Sequence, residues 1–340
     1  MRRFRRPAIE VPTLLPTGSG GKARQDHVDR YIWDGTVPST ISDYPWRQPD
    51  VLGLLHAMQG AICAYCGMAP AKLVVDHFRP TGKATGRIGE PHHWWLAYES
   101  SNYFLSCDHC NRDRKGSQFP LESGTVRITW ETRADVGNER RVLFDPVEDN
   151  VEELLEPEED TPFCRLVPNR GLGGTVRARV EDVIEFFGLN SNSQVCRCRS
   201  QVYRKALIAL KDSRWNDLRR LAMPHAEHSL VAWSLLRNFA PEELPTPEDE
   251  QRELTAALWE DLAGGIRHSL QLKKRGKTPR QQDTNRLKSF CWALRILSRN
   301  PPIGSADSVA GFMVDRLGRE DSETQTAILE AFKSLNTPAG

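Results

Sequence analysis

The chain has 340 residues, with 46 basic and 45 acidic side chains and a formal net charge of +1. This length suffices for roughly two domains with sizeable cores, at about 150 residues per domain. A net charge near zero is uninformative about nucleic acid, because local clusters of opposite sign cancel in the sum. No apolar run is long enough to span a bilayer, and MRRFRRP at the start is not followed by the apolar stretch of a signal peptide. We therefore expect a soluble, cytoplasmic protein with reduced cysteines and no membrane contact.

The first part of the chain contains one predicted helix and one predicted strand. Residues 1–49 are rich in Pro, Gly and Arg and predict an irregular N-terminal arm. Residues 50–59 (DVLGLLHAMQ) predict a short helix with Asp50 as its N-cap. The apolar, β-branched run 73–75 predicts a strand that ends at Asp76-His77. The glycines of the next segment, 81–91, predict a loop.

The middle of the chain alternates short elements with a strongly acidic segment. Residues 111–115 predict the opening of a helix, and residues 126–130 and 142–144 predict short strands. Residues 148–160 contain eight acidic side chains and no basic one. We interpret this run as an exposed loop, or alternatively as a docking surface for a basic partner.

The rest of the chain is predicted to be helical. Residues 179–189 have helical periodicity, and residues 194–221 predict an amphipathic helix. Such a helix would attract a nucleic-acid backbone, although a merely solvated face is the alternative. Its charged positions carry eight basic residues: Arg197, Arg199, Arg204, Lys205, Lys211, Arg214, Arg219 and Arg220. Residues 225–340 are predicted to form a helical C-terminal region.

Two Cys-x-x-Cys pairs, Cys63/Cys66 and Cys107/Cys110, predict a zinc site. Each pair can turn two sulfurs toward one tetrahedral ion. Four sulfur ligands leave no position for substrate, so the zinc should be structural. His109 lies inside the second pair and could replace a cysteine. Buried or redox-active thiols are the alternative interpretation.

The residues between and beside these pairs are suited to cutting a phosphodiester. A neutral histidine such as His77 can activate water, because its pKa lies near working pH. The carboxylate of Asp76 suits a hard divalent ion such as Mg²⁺. Adjacent residues on a strand point to opposite faces, so a bend at the strand end would be needed to bring both to one phosphate. The side-chain oxygen of Asn111 could then reach the same metal.

These residues resemble a known family. The two cysteine pairs with Asp76-His77, Asn102, Asn111 and Lys115 are similar to zinc-supported HNH endonucleases with a ββα-metal core. Three stretches more narrowly resemble retron-associated HNH endonucleases and the HNH subunit of Septu-type anti-phage systems. They are DHFRP, WWLAY…NYFLSCDHCNRDRKGSQFPL and FFGLN. The resemblance covers roughly residues 50–205 and is dense only over 63–121.

The resemblance implies a ββα-metal core, and the helical pattern of the residues beyond it predicts a largely helical C-terminal half, so we expect an α+β protein. The zinc-braced ββα-metal core would occupy residues 50–145. An acidic loop and basic helical extension at 146–224 and the helical region 225–340 would follow.

The resemblance also assigns roles to individual residues. His77 would be the general base, Asp76 and Asn111 would hold a catalytic Mg²⁺ or Mn²⁺, and Asn102 would orient His77. The commoner residue at the third motif position is histidine, and Asn111 there favours a hard ion. Lys115, with Arg112 or Arg114 as its helper, would contact substrate phosphate, although a solvated helix face is the alternative for these three. Arg79 is a further candidate for phosphate contact because it closely follows the Asp-His pair, and not because of the resemblance.

We expect DNA as the substrate, with RNA as the open alternative, and the resemblance implies a role in anti-phage defence. The resemblance further implies control by an ABC-type ATPase, a retron, or both. Residues 225–340 would supply this restraint or a homo-oligomer contact. Two alternatives stay open: a stand-alone restriction-type endonuclease, and a non-catalytic zinc module that binds nucleic acid or protein.

Overall fold

The computed structural model describes residues 2–81, 93–160, 163–299 and 309–335, which combine helices with two small antiparallel sheets. The α-helices are α1 Ser19–Asp34, α2 Pro49–Gln59, α3 Val151–Leu154, α4 Gly174–Phe186, α5 Ser193–Lys211, α6 Trp215–Ala222, α7 Leu230–Phe239, α8 Pro247–Lys274, α9 Gln281–Arg299, α10 Val309–Gly318 and α11 Ser322–Ser334. The strands are β1 Val74–His77, β2 Tyr103–Ser106, β3 Leu155–Asp160 and β4 Phe163–Pro168. Almost all of the predicted loop at 81–91 lies outside the described residues. Within the described part of the chain, every helix is too short or too polar to cross a bilayer.

The chain divides into two compact units, each assembled from separate stretches of sequence. The first unit comprises Met1–Arg5, Gly21–Ser42 and Ala61–Pro245. The second unit comprises Arg6–Gly20, Asp43–Gly60 and Thr246–Gly340.

The first unit contains a small hairpin that carries the Asp-His pair. Strands β1 and β2 are antiparallel, with Asp76 opposite Phe104 and His77 opposite Tyr103. The predicted strand ending at Asp76-His77 is therefore confirmed. A π-helical turn, His109–Lys115, follows β2, so the order of elements here is strand, strand, helix. The helix predicted at 111–115 is thus present but begins two residues earlier.

The second sheet contradicts the loop predicted at 148–160. The acidic residues 156–160 belong to β3, which pairs with β4 from Leu155 opposite Pro168 to Asp160 opposite Phe163. The acidic composition of β3 does not predict a strand, because most of the buried side chains of this sheet belong to its partner β4. Cys164, Leu166 and Pro168 of β4 face inward, whereas the far end of β3 is exposed.

The helices after this sheet agree largely with their periodicity. The helix predicted at 179–189 is confirmed as α4, although it begins earlier, at Gly174. The single helix predicted at 194–221 is wrong, because the structure has α5 and α6 with a break between them. Ser213 in the break has a positive φ of 52°, which a continuous helix cannot include. Alanines of α5 pack with Leu218, Ala222 and Leu236 in one apolar cluster.

The second unit is helical, as predicted for most of the C-terminal region. Helix α2 packs closely on α9, and Gly53 allows this approach: a Cβ there would lie 2.4 Å from the Trp292 Cβ. Asp50 is not the N-cap of α2. Its buried carboxylate instead accepts hydrogen bonds from the Thr13 backbone N–H and hydroxyl, at 2.7 Å each.

Two further predictions from local composition are wrong. Helix α1 lies within the arm that was predicted to be irregular. Residues 126–130 and 142–144, all of them described, form no strand. The side chain of Val126 is 83% exposed, so its β-branched character has no packing partner to stabilise a strand.

Candidate functional site

Four cysteine sulfurs converge at one point of the first unit. The sulfurs of Cys63, Cys66, Cys107 and Cys110 all lie within 4.8 Å of one another. Tetrahedral zinc with Zn–S bonds of about 2.3 Å separates its ligands by about 3.8 Å, so the cluster matches this ion in size. Four thiolates repel one another unless a cation neutralises them, and sulfur donors favour zinc. The cluster therefore fits the predicted structural zinc site.

The backbone of the first cysteine pair braces the strand hairpin. The Cys63 N–H donates to the Met68 carbonyl, and the Gly67 N–H donates to the Cys63 carbonyl. The Ala64 N–H donates to the Leu105 carbonyl of β2 at 3.0 Å. A metal bound at the sulfurs would thus hold a turn that is hydrogen-bonded directly to the hairpin. The four sulfurs already supply a tetrahedral set of ligands, so His109, which lies 3.4 Å from the Asp113 carboxylate, is not needed as a ligand.

The carboxylate of Asp76 is 3% exposed and is held on both oxygens. The Tyr65 hydroxyl donates to Oδ2, and the Lys115 ammonium lies 3.2 Å from Oδ1. Burial, followed by the charge of Asp76, raises the pKa of Tyr65 well above its usual value, so the phenol stays protonated and donates. A carboxylate has about four lone-pair sites, and these two bonds leave capacity for a hard metal ion.

The ring of His77 is fixed by a backbone carbonyl. Its Nε2 lies 3.0 Å from the Ala97 oxygen, and its plane meets the Tyr103 ring edge-on at 88°. A carbonyl only accepts hydrogen bonds, so the neutral ring carries its proton on Nε2 and its basic lone pair on Nδ1. Burial, with a smaller contribution from Lys115, lowers the pKa of His77, which keeps the ring neutral near pH 7. This is the protonation state of a general base.

Asn102 holds the turn after His77 and not the His77 ring itself. Its side-chain oxygen accepts from the Arg79 N–H at 2.7 Å, and its amide donates to the Arg79 carbonyl at 2.9 Å. The Phe78 N–H donates to the Asn102 carbonyl. Asn102 therefore acts on the orientation of His77 through the backbone of the following turn and not through a bond to the ring.

Asn111 lies in the π-helical turn, directly after Cys110. Its N–H donates to the Cys107 carbonyl, and its carbonyl accepts from the Gly116 N–H. Gly116 has a φ of 50°, which ends the turn in the left-handed region that glycine tolerates. The side chain of Asn111 is half-buried and makes no hydrogen bond within the described part of the chain. Its amide oxygen is therefore able to serve as a metal ligand.

The structure does not support phosphate contact by two of the four predicted basic residues. Lys115 is 0% exposed, and its ammonium donates to the His77 carbonyl at 2.6 Å as well as to Asp76. Arg79 is buried, and its guanidinium binds the Glu139 carboxylate at 3.2 Å. Both cations are committed to internal partners because burial requires that charge be paired.

Arg112 and Arg114 lie nearer to solvent. Arg112 is exposed, whereas Arg114 is half-buried and donates to the Ser191 hydroxyl at 3.2 Å. A Cβ at Gly188 would lie 1.9 Å from the Arg114 guanidinium, so glycine is needed for the arginine to lie there. These two residues remain the candidates for phosphate contact.

Three groups around the site were not found from the sequence. The Tyr65 phenol could have been noticed, because an aromatic residue stands inside the first cysteine pair. Its ring stacks on Phe187 of the FFGLN stretch, with centroids 4.6 Å apart. Glu139, which pairs with Arg79 across 60 residues of sequence, has no local signal. The Ala97 carbonyl could not be found from the sequence either, because every residue has a backbone carbonyl.

Part of the chain is similar to the Septu protein PtuB of Bacillus mycoides (strain KBAB4), with 31% identity over 119 residues. The match covers 33% of this chain and 39% of the relative. The chain thus spans about two fifths of the length of the curated relative that it matches. No family model matches the chain, and no solved structure does so either.

Proposed function

We propose that this protein is a metal-dependent HNH endonuclease that hydrolyses phosphodiester bonds in DNA, as the effector nuclease of an anti-phage defence system. The geometry of His77 carries the proposal: a neutral ring is anchored at Nε2 and has its lone pair on Nδ1. The adjacent carboxylate of Asp76, the amide of Asn111 and the sulfur cluster are proposed as the remaining parts of such a site. The similarity to the Septu protein PtuB supports the defence role.

His77 is the group that takes a proton from the attacking water. As Nδ1 gains this proton, the ring becomes positive and its Nε2–H bond to the Ala97 carbonyl strengthens. The backbone carbonyl thereby fixes the ring orientation and stabilises the charged form. Asn102 keeps the following turn in place, so the ring cannot swing away with the end of β1.

Asp76 and Asn111 would hold the catalytic Mg²⁺ or Mn²⁺. Hard oxygen donors of this kind suit Mg²⁺, which takes one or two protein carboxylates and keeps several waters. The bound ion would stabilise negative charge on phosphorus and on the leaving oxygen. Tyr65 and Lys115 fix the carboxylate rotamer, and Cys63, Cys66, Cys107 and Cys110 would hold the structural zinc.

The test compares plasmid cleavage by wild type and His77→Ala in Mg²⁺ or Mn²⁺. A general base contributes about 10²- to 10⁴-fold, so we expect cutting to fall by at least about 100-fold. The variant should keep its zinc and its DNA binding. His268→Ala, an exposed histidine of α8, is the matched control and should cut normally. Undiminished cutting by His77→Ala would remove the residue from the mechanism.

The same assay separates the rival interpretations. A non-catalytic zinc module would cut neither plasmid nor RNA under any metal condition. A stand-alone restriction-type enzyme would cut at defined sequences without a partner. We further propose an ABC-type ATPase, a retron, or both as the controlling partner, with residues 225–340 providing the restraint or a homo-oligomer contact. An ATPase gene beside this one would support that control, and a methyltransferase gene would favour restriction.

A further inference from the structure

Helix α5 has an unusual charge distribution. Its 19 residues include five basic side chains and no acidic one. One of these, Arg199, is buried, and the other four are exposed: Arg197, Arg204, Lys205 and Lys211. We call these four residues the α5 basic face.

Three of the four residues form a straight line. Arg197, Arg204 and Lys211 recur every seven residues, which returns a helix of 3.6 residues per turn to nearly the same face. At 1.5 Å rise per residue the line is about 21 Å long. Arg197, Lys205 and Lys211 take part in no ion pair with the described residues, so their charge is not neutralised within this part of the protein.

The α5 basic face is rigidly mounted. The buried guanidinium of Arg199 donates to the Cys164 carbonyl at 2.7 Å and to the Leu189 carbonyl at 2.9 Å. The Ser200 hydroxyl accepts from the Cys164 N–H at 2.8 Å. These bonds attach the inner side of α5 to strand β4 and to the segment that precedes α5, and they leave the outer side facing solvent.

The N-terminal end of α5 is joined to the candidate nuclease site. The helix begins two residues after Ser191, whose hydroxyl accepts from Arg114. Arg114 itself follows Asn111 by three residues in the π-helical turn. On the same connection, Phe187 stacks on Tyr65, which holds Asp76. The line of cations therefore starts beside the residues proposed to do the chemistry.

We propose that the α5 basic face is the docking surface for the DNA sugar-phosphate backbone and leads the duplex to Asp76 and His77. This inference rests on the proposed nuclease function and adds the location of the substrate. Interfaces with DNA are polar and strongly positive, whereas protein interfaces have cores rich in aromatic and apolar groups. Ile208, 53% exposed, is the one large apolar residue that α5 exposes. The chemistry of the face thus favours phosphates over an acidic protein.

The experiment measures binding separately from cutting. The full chain with His77→Ala, loaded with zinc and without Mg²⁺, is titrated against a labelled duplex at several KCl concentrations. The triple variant Arg197→Gln, Arg204→Gln, Lys211→Gln is compared with it in the same background. The slope of log K against log[salt] is negative, and each lost phosphate contact reduces its magnitude by about 0.9, so we expect a reduction of about 2.7 and at least about ten-fold weaker binding.

The matched control neutralises three exposed cations of the second unit: Lys273→Gln, Arg275→Gln, Lys277→Gln. Its slope should equal that of the parent. An unchanged slope in the α5 triple, an equal decrease in both triples, or no duplex binding by the parent would overturn the proposal. If the α5 triple loses zinc or helical circular dichroism, the single variants Arg197→Gln and Lys211→Gln replace it as the test, and each should reduce the magnitude of the slope by about 0.9.

Cleavage by the otherwise wild-type chain then separates the two proposals. A localised loss of binding without any cutting by wild type would keep the docking surface and reject the nuclease. Cutting that depends on His77 but not on the α5 triple would keep the nuclease and reject the docking surface. Weaker binding to an acidic protein, with DNA binding unchanged, would identify that other class of partner and reject the inference.

Discussion

The carboxylate of Asp76 is buried between a phenol and an ammonium, and this pairing is what makes its burial tolerable. An unpaired carboxylate at this depth would carry a large desolvation penalty. Lys115 supplies charge and Tyr65 supplies a hydrogen bond, so the two partners act differently on the same group.

Tyr65→Phe tests the second of these contacts. The variant keeps the ring that stacks on Phe187 but loses the hydrogen bond to a charged acceptor, so we expect about 2 kcal/mol lower stability. Weaker Mn²⁺ binding should accompany this loss, because the carboxylate is less firmly held. Urea unfolding and Mn²⁺ titration measure the two effects. Tyr98→Phe, which loses a 3.3 Å bond to the Ser42 carbonyl, is the control and should be affected less. Equal stability and equal Mn²⁺ affinity in wild type and Tyr65→Phe would show that the bond is unimportant.

His56 makes the stability of the second unit depend on pH. Burial, more than the nearby charge of Arg286, lowers its pKa to about 4, whereas the unfolded chain has a value near 6.5. As pH falls, the unfolded state therefore takes up the proton first. The stability that the neutral His56 ring contributes is fully present above pH 6.5. It is lost as pH falls from 6.5 to about 4, by about 3 kcal/mol in total.

Urea unfolding at pH 7.5 and pH 4.5 measures this dependence. His56→Gln removes the titrating ring, so the difference between the two pH values should shrink relative to wild type. An identical pH difference in both proteins would assign the effect to other groups, among them the buried His225, whose pKa is also lowered to about 4.

At the scale of elements, the sequence pattern predicted correctly those helices and strands that are stabilised by contacts of their own residues. Strand β1 was predicted from an apolar, β-branched run and helix α4 from its apolar period, and both are confirmed. Strand β3 was missed because its stability comes from pairing with β4 and not from its own acidic sequence. The break after α5 was missed because the periodic pattern continues across Ser213 while the backbone does not.

The closeness of α2 to α9 gives a prediction with opposite signs at two glycines. Gly53→Ala would place a Cβ 2.4 Å from the Trp292 Cβ and 2.8 Å from the Ser289 carbonyl, so we expect a loss of about 1–3 kcal/mol. Gly264→Ala in α8 meets nothing within 4 Å and should stabilise the protein by about 0.5–1 kcal/mol through helix propensity. Thermal unfolding of both variants measures this. Unchanged or increased stability of Gly53→Ala would contradict the packing described for α2 and α9, whereas a loss of stability in Gly264→Ala would contradict the open surroundings of that residue.

On the scale of the whole molecule, the amino-acid composition predicted little of the structure, whereas the spacing of the cysteines predicted the metal site. A net charge of +1 concealed the all-basic surface of α5. Two cysteine pairs 41 residues apart were sufficient to predict that four sulfurs meet. The sequence contained no comparable pattern to show that each unit is assembled from separate segments, because nothing in Asp43–Gly60 marks which later helices it contacts.

Metal analysis tests the sulfur cluster directly. We expect one zinc per chain in the wild type and almost none in Cys107→Ser. Structural zinc contributes about 10 kcal/mol or more to folding, so this variant should unfold at a markedly lower temperature. Cys291→Ala is the control: burial raises the pKa of that thiol to about 12, and it should retain full zinc content. Full zinc in Cys107→Ser would exclude the four-sulfur site.

The packing of α2 on α9 also determines the order of events during synthesis. Val51, Leu54, Leu55 and Met58 of α2 are all buried in the finished second unit. Helix α9 begins about 220 residues after α2 ends, which at about 5–20 residues per second is a delay of roughly 10 to 45 seconds. Throughout that interval the apolar residues of α2 lack the helix that later buries them, and exposed apolar surface of this kind makes a nascent chain prone to aggregation.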